Sequence, residues 1–318
     1  MAHVQIPPPE LVPFGMRALK CVAMADGSFA EPERALLEAA QQLFRVSVDL
    51  DALAPITPAE LAGAVEDPAL RLQLVRAMLM VSLVDGEASP AEAAQVRAFA
   101  DALGIGAEEL RTFEKISEGH LLTARFEVLR RFWAVPHVRA RVEKEGLPWL
   151  AKTLAAFVGL RENTALAERY RKLQEYPSHT LGHAYFRFVR DNGFSLPGEK
   201  GSPPEPIILH DLTHVLSGYG TDPTGEICVT AFHAGYRQQN PFTFILFSMM
   251  QFNLGIRMVP IAAAAKQQVD PARWLQAAHR GSQMTRDITD GTWDWWENLP
   301  RDIEEVRAEL GIPPLATG

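Results

Sequence analysis

The first half of the chain repeats itself, and this repeat limits the fold more than any other sequence feature. Residues 17–44 align with residues 76–103 at a constant offset of 59 positions. Each copy starts with Arg-Ala, runs through apolar residues to Asp-Gly, and then resumes an apolar pattern of helical spacing. Glycine is common just past a helix end, and proline is common in a first helical turn. The repeat therefore predicts two helical hairpins packed on each other.

Helical patterns continue through the rest of the chain. Residues 116–175 have helical spacing, and another helix is expected around His183. A chain of 318 residues is long enough for two domains of roughly 100–200 residues each. We predict an all-α protein with a helical repeat domain at 1–115 and a second helical domain at 116–318.

Charge and cysteine content narrow the functional classes. The net charge is −8 and there is no basic stripe, so nucleic-acid binding is not expected. The two cysteines, Cys21 and Cys228, lie in apolar stretches and are interpreted as buried thiols of a reducing compartment. The first residues lack the basic and apolar regions of a signal peptide. We therefore expect a cytoplasmic protein.

The longest apolar stretch, residues 242–265, is interrupted by polar residues and a proline. A membrane-spanning helix needs about 20 predominantly apolar residues, so no transmembrane segment is predicted. Phenylalanine and methionine dominate the first part of this stretch. It is interpreted either as a buried core helix or as a helix that lines an isoprenoid groove or lies at the membrane interface.

The second half contains a candidate metal site. His210 and His214 are four positions apart, so a helix would place both imidazoles on one face, one turn apart. Asp211 adjoins the pair, and the turn-rich segment 218–225 can bring Glu226 back over it. Two imidazoles and two carboxylates suit zinc first, with iron or manganese as alternatives. We predict that these four residues bind a divalent metal ion.

This stretch resembles the Coq-four family of ubiquinone biosynthesis proteins. The family's signature is His-Asp-x-x-His followed by eleven residues and Glu, as found here between His210 and Glu226. The resemblance covers roughly residues 165–312, and it rests on three further segments that carry family-like motifs. These segments are 180–194, 278–281 and 294–297.

The resemblance implies an all-helical protein with a bound metal, a groove for a long isoprenoid, and a role in membrane-associated quinone synthesis. It also implies either replacement of a ring carboxyl at C1 by hydroxyl, an oxidative decarboxylation, or scaffolding of other quinone-synthesis enzymes. Thr213 and His233 depart from the family pattern. His233 is interpreted as a catalytic proton donor, an extra ligand or a filler of polar space, and we select it as the catalytic candidate.

The repeat resembles the TerB-like family of tellurite-resistance loci over about residues 14–115. The resemblance rests on Asp-Gly at the end of each first helix and a glutamate seven positions after each aspartate. It implies that four acidic side chains could surround a metal ion, although carboxylates near helix starts also serve as simple caps. The four residues are Asp26, Glu33, Asp85 and Glu92.

Two alternatives to quinone biosynthesis stay open. An HD-type metal-dependent phosphohydrolase also uses adjacent His-Asp, but it would need further ligands such as His183 or His233. A non-enzymatic lipid-binding scaffold would hold the metal structurally, with the TerB-like half recruiting partners. The expected partners are an isoprenoid quinone precursor or another lipid, and quinone-biosynthesis proteins. The inner membrane surface and a second copy of the chain are further candidates.

Overall fold

The protein is described by a computed structural model that covers residues 5–106, 108–131, 134–157, 160, 162–259 and 263–315. Across these residues the regular secondary structure is helical, with two isolated bridges and no strand, which confirms the predicted all-α class. The α-helices are α1 Val12–Ala23, α2 Glu31–Phe44, α3 Pro58–Ala64, α4 Pro68–Val84, α5 Pro90–Ala102, α6 Glu108–Ser117, α7 Leu121–Arg130, α8 Ala134–Glu145, α9 Leu147–Phe157, α10 Thr164–Arg171, α11 Leu181–Asp191, α12 Ile208–Ser217, α13 Pro223–Tyr236, α14 Pro241–Ser248, α15 Pro271–Ser282, α16 Trp295–Asn298 and α17 Ile303–Glu309.

The sequence repeat forms the predicted helical hairpins, α1 with α2 and α4 with α5. Gly27 and Gly86 follow the Asp residues with φ of 97° and 89°, a left-handed conformation that glycine adopts without strain. At Gly86 a side chain would also collide, since a Cβ would lie 3.1 Å from the carbonyl oxygen of Asn253. The Asn253 amide donates to the carbonyl oxygens of Leu83 and Val84 and so closes the end of α4.

The chain forms two compact units that are discontinuous in sequence. The first contains residues 1–130, 222–235 and 239–282, and the second contains residues 131–221, 236–238 and 283–318. Compactness thus groups segments from both halves of the chain. The predicted domain division after residue 115 follows sequence resemblance rather than contacts, and it stays a prediction.

The Phe- and Met-rich segment lies in the core of the first unit. It forms α14 and continues as a π-helical turn over Met249–Asn253. Met249 and Met250 are fully buried, and Gln251 is also buried, where its side chain pairs with backbone groups of Met258 and Ala263. These contacts support the core interpretation. In the described part of the chain, no helix has the length and apolar character needed to cross a bilayer.

Candidate metal centre

Helix α12 carries the His-Asp-x-x-His motif in the second unit. Its apolar side chains Leu209, Leu212 and Leu216 are buried and fix the helix against its neighbours. At its carboxyl end, Arg307 donates to the carbonyl oxygens of Val215 and Leu216, at 2.8 and 3.0 Å. A cation at this end also suits the helix dipole. The histidines therefore project from a well-anchored helix.

The predicted pairing of the two imidazoles is present. The Nε2 atoms of His210 and His214 lie 3.2 Å apart, with the ring planes nearly perpendicular. His214 is only 2% exposed, and Phe188 stacks on its ring at a centroid distance of 5.3 Å. Its Nδ1 lies 3.1 Å from the carbonyl oxygen of Tyr219, which can only accept a hydrogen bond. This bond assigns the proton of neutral His214 to Nδ1 and leaves a lone pair on Nε2.

The distance between the two nitrogens fits a shared metal ion. Two Zn–N bonds of about 2.0–2.1 Å at a tetrahedral angle place the nitrogens about 3.3 Å apart. Without a cation or proton between them, two imidazole lone pairs at 3.2 Å would repel each other. Metal-binding histidines usually donate a hydrogen bond from the ring nitrogen that does not face the metal, and the Tyr219 carbonyl accepts such a bond from His214.

Glu226, the third predicted ligand, lies in the first unit, and its place beside the two histidines stays a prediction. Its helix, α13, begins at Pro223, three residues earlier than predicted, because the Asp222 carboxylate caps the amides of Thr224 and Gly225 at 3.1 Å. Glu226 therefore lies in the first turn rather than at the helix start.

Asp211 is the fourth predicted ligand. It lies on α12 near Tyr185, whose pKa is raised well above its ordinary value by burial, with the Asp211 charge as a second cause. Its role as a metal ligand stays a prediction.

His233, the predicted catalytic residue, is completely buried in the first unit. Its ring stacks on Phe244 with centroids 4.2 Å apart. Among the described residues, nothing groups it or His183 with the candidate metal ligands, so the additional ligand role has no support there. A catalytic role for His233 stays a prediction.

The four acidic residues of the repeat make local contacts. Asp26 accepts hydrogen bonds from the amide and hydroxyl of Ser28, and Asp85 accepts from the amide of Glu87. These contacts are local turns between the two helices of each hairpin, and the helix starts are capped at Ala30 and Ser89 instead, so neither aspartate is an N-cap.

Glu33 and Glu92 behave differently, since both are only 3% exposed and their side chains hydrogen bond to each other. Glu33 also accepts from the amide of Ala30. Burial raises the pKa of both carboxyl groups, and the neighbouring carboxylates raise them further. The raised pKa values favour retention of a proton by the pair.

One buried polar network was not predicted. Glu205, 5% exposed, accepts a hydrogen bond from the Tyr170 hydroxyl at 3.0 Å and forms an ion pair with Arg141. Burial, together with the Glu205 charge, raises the pKa of Tyr170 well above its ordinary value. These residues lie far apart in sequence and form no motif, so nothing in the sequence signals the network.

Comparison with known proteins supports both resemblances. Residues 58–115 match the family described as tellurite resistance protein TerB. This match spans α3 to α6, hence one copy of the repeat rather than both.

The mitochondrial ubiquinone biosynthesis protein COQ4 of Eremothecium gossypii is 27% identical over 158 residues, which is 45% of each chain. The chain therefore spans less than half the length of this curated relative. No solved structure matches the chain significantly. The chain thus combines a TerB segment with homology, over less than half of its length, to a ubiquinone biosynthesis protein.

Proposed function

We propose that the chain is a metal-binding protein of isoprenoid-quinone biosynthesis, which acts on, or scaffolds enzymes around, a polyprenylated aromatic precursor. The observation that carries the proposal is the pair of imidazoles, one buried and one half-buried, with Nε2 atoms 3.2 Å apart and one tautomer set by Tyr219. The homology to a ubiquinone biosynthesis protein connects this site to quinones. The role of that relative in ubiquinone biosynthesis is extended to this chain as part of the proposal.

His210, His214 and Glu226 would hold the metal, with Asp211 as a fourth ligand or as a residue that orients one. Zinc is the first candidate, and iron or manganese suits the same nitrogen and oxygen donors. When bound, the ion would supply a Lewis acid next to the ring carboxylate of the precursor. Phe188 covers one face of His214 and limits the access of water to it. The reaction proposed for this site is the oxidative replacement of the C1 carboxyl by hydroxyl: the carboxyl would leave as carbon dioxide, molecular oxygen would supply the hydroxyl oxygen, and an external two-electron donor would reduce the second oxygen atom to water.

The HD-type alternative gains no comparable support, because the ligand group contains neither His183 nor His233. A scaffold with a structural metal would use the same three ligands. Unlike the enzyme, such a scaffold would leave the precursor chemically unchanged, and conversion of the precursor can be measured.

Metal content and quinone synthesis test the proposal together. We expect purified protein to contain about one divalent ion per chain by mass spectrometry, and the His210→Ala/His214→Ala variant to contain almost none. His179→Ala is the matched control, since His179 is exposed and lies outside the ligand group. The proteins are then expressed in a strain that lacks its own Coq-four protein. The wild-type protein and the control should restore ubiquinone synthesis, and the double variant should not. Equal metal content in all three proteins would refute the metal site. Metal binding without restored ubiquinone would refute the pathway.

A further inference from the structure

Tyr185 on α11 has a hydroxyl group that the fold itself does not use. The side chain is completely buried in the second unit, and its hydroxyl has no hydrogen-bond partner among the residues that the structure describes. Buried polar groups in proteins almost always have a partner, so an exception needs an explanation. A phenylalanine at this position would fill the same space without a polar group to satisfy, so the hydroxyl points to a role other than packing.

The neighbouring Tyr170 on α10 is the opposite case. It is also completely buried, and the centroids of the two tyrosine rings lie 6.1 Å apart. The Tyr170 hydroxyl donates to one carboxylate oxygen of Glu205 at 3.0 Å, and Arg141 pairs with the other oxygen. Both oxygens of Glu205 therefore have partners, and the Tyr185 hydroxyl needs a different acceptor.

Contacts at three levels show that α11 and α12 lie side by side and run in the same direction. Near their starts, Tyr170 contacts both α11 and the turn that leads into α12. In the middle, Phe188 of α11 stacks on His214 of α12. Beyond their ends, the Thr221 hydroxyl donates to the side-chain oxygen of Asn192 at 2.7 Å. Positions along the two helices can therefore be matched turn by turn.

This register places Tyr185 level with Asp211. Tyr185 lies three residues before Phe188, and Asp211 lies three residues before His214, so each is about one turn before the stacked pair. The electrostatics agree with this placement: burial raises the pKa of Tyr185, and the charge of Asp211 is the next largest cause. The Asp211 carboxylate is thus the nearby acceptor that this register offers to the hydroxyl.

We propose that Tyr185 is a positioning residue of the metal centre, whose hydroxyl donates a hydrogen bond to the Asp211 carboxylate when the metal ion is bound. The inference rests on the proposed function, since it takes Asp211 as a ligand or as a residue that orients one. Asp211 is half-buried and adjoins His210. A donor that fixes one carboxylate oxygen also fixes the direction of the other, and such outer hydrogen bonds raise metal affinity.

A double-mutant cycle in zinc affinity tests the pairing, with chelator competition as the measurement. Tyr185→Phe keeps the ring and removes the hydroxyl, and we expect about 3–10-fold weaker zinc binding. In an Asp211→Ala background the same change should alter the affinity less than twofold, because the acceptor is already gone. Tyr170→Phe is the matched control, since it removes a hydroxyl from an equally buried ring, and it should alter zinc affinity less than twofold in either background.

Urea unfolding of the metal-free proteins separates positioning from structural support. Tyr185→Phe should keep or raise the urea midpoint, because it removes a buried hydroxyl that has no partner in the fold. Tyr170→Phe should lower the midpoint, because the buried Glu205 carboxylate loses a donor. The two variants should therefore have opposite profiles, one weaker in zinc binding and the other weaker in stability.

The results that overturn the inference differ from those that overturn the proposed function. Wild-type protein that binds no zinc would refute the metal site, and the positioning role with it. If the wild type binds zinc and Tyr185→Phe binds it equally well, the positioning role alone is refuted. Equal losses from Tyr185→Phe with and without the Asp211 carboxylate would refute the pairing. A urea midpoint that falls as far in Tyr185→Phe as in Tyr170→Phe would make the role of Tyr185 structural.

Discussion

The His210–His214 pair in the second unit is half-buried and the Glu33–Glu92 pair in the first is buried, and each brings together two identical titratable side chains. Glu33 and Glu92 resolve their repulsion by keeping a proton, because burial raises the pKa of both carboxyl groups. The Nδ1–H group of His214 donates a hydrogen bond to the Tyr219 carbonyl oxygen, so its Nε2 lone pair faces His210. The two pairs differ in their surroundings: burial favours a retained proton on the carboxyl pair, whereas the hydrogen bond to Tyr219 leaves the His214 Nε2 lone pair available to a proton or a metal ion.

Removal of an imidazole should have the largest effect. His214→Ala is expected to weaken zinc binding at least 100-fold, because it removes a direct ligand and the one with the fixed tautomer. Competition with a chromogenic chelator measures the affinity. Glu92→Gln is the comparison variant, and it should leave zinc affinity within about twofold of wild type if the carboxyl pair holds a proton rather than the metal. If Glu92→Gln lost zinc affinity and His214→Ala kept it, the carboxyl pair rather than the histidine pair would be the zinc site.

Substitutions of Glu226 and of Asp211 should weaken zinc binding to different extents. Glu226→Gln keeps the shape of the side chain but removes the charge, and we expect about 10–100-fold weaker zinc binding. Asp211→Asn should have a smaller effect, since Asp211 is proposed as a fourth ligand or as a residue that orients one. The same chelator competition measures both variants. A larger loss in Asp211→Asn would make Asp211 the third ligand.

The carboxyl pair was only partly visible in the sequence. The 59-residue offset places Glu33 and Glu92 at equivalent positions, so a shared environment was foreseeable. Their mutual hydrogen bond depends on how closely the two hairpins pack, which no local pattern determines. Likewise, the spacing of His210 and His214 predicted one face of a helix. The Tyr219 carbonyl that orients His214 is a backbone group, which carries no sequence signal.

The sequence also predicted the starts of helices only approximately. The sequence placed a helix at Glu226, but the Asp222 cap and Pro223 move its start back by one turn. The all-α class was predictable because long segments keep apolar residues at helical spacing. The network of Arg141, Tyr170 and Glu205 was not, since its members meet only in the folded unit.

Glu92→Gln should stabilise the protein at alkaline pH. A carboxyl group with a raised pKa in the folded state contributes stability that falls as pH rises above its ordinary pKa, because the unfolded chain releases the proton first. Glutamine keeps a hydrogen-bonding side chain and cannot ionise. We expect a gain of about 1–2 kcal/mol at pH 8 and a flatter pH dependence between pH 5 and 9.

Urea unfolding at several pH values measures this effect. Glu38→Gln is the control, because Glu38 is exposed and lies on α2, the helix that carries Glu33. Loss of stability in Glu92→Gln at pH 8, with the control unchanged, would show that the pair is ionised and compensated in another way.

The central claim is that His210 and His214 bind one metal ion through Nε2. X-ray absorption spectroscopy of the zinc-loaded protein tests it most directly. The account predicts two imidazole ligands with Zn–N distances of about 2.0–2.1 Å, and one imidazole in His214→Ala. A zinc spectrum without imidazole ligands, or one that is the same in wild type and His214→Ala, would contradict it.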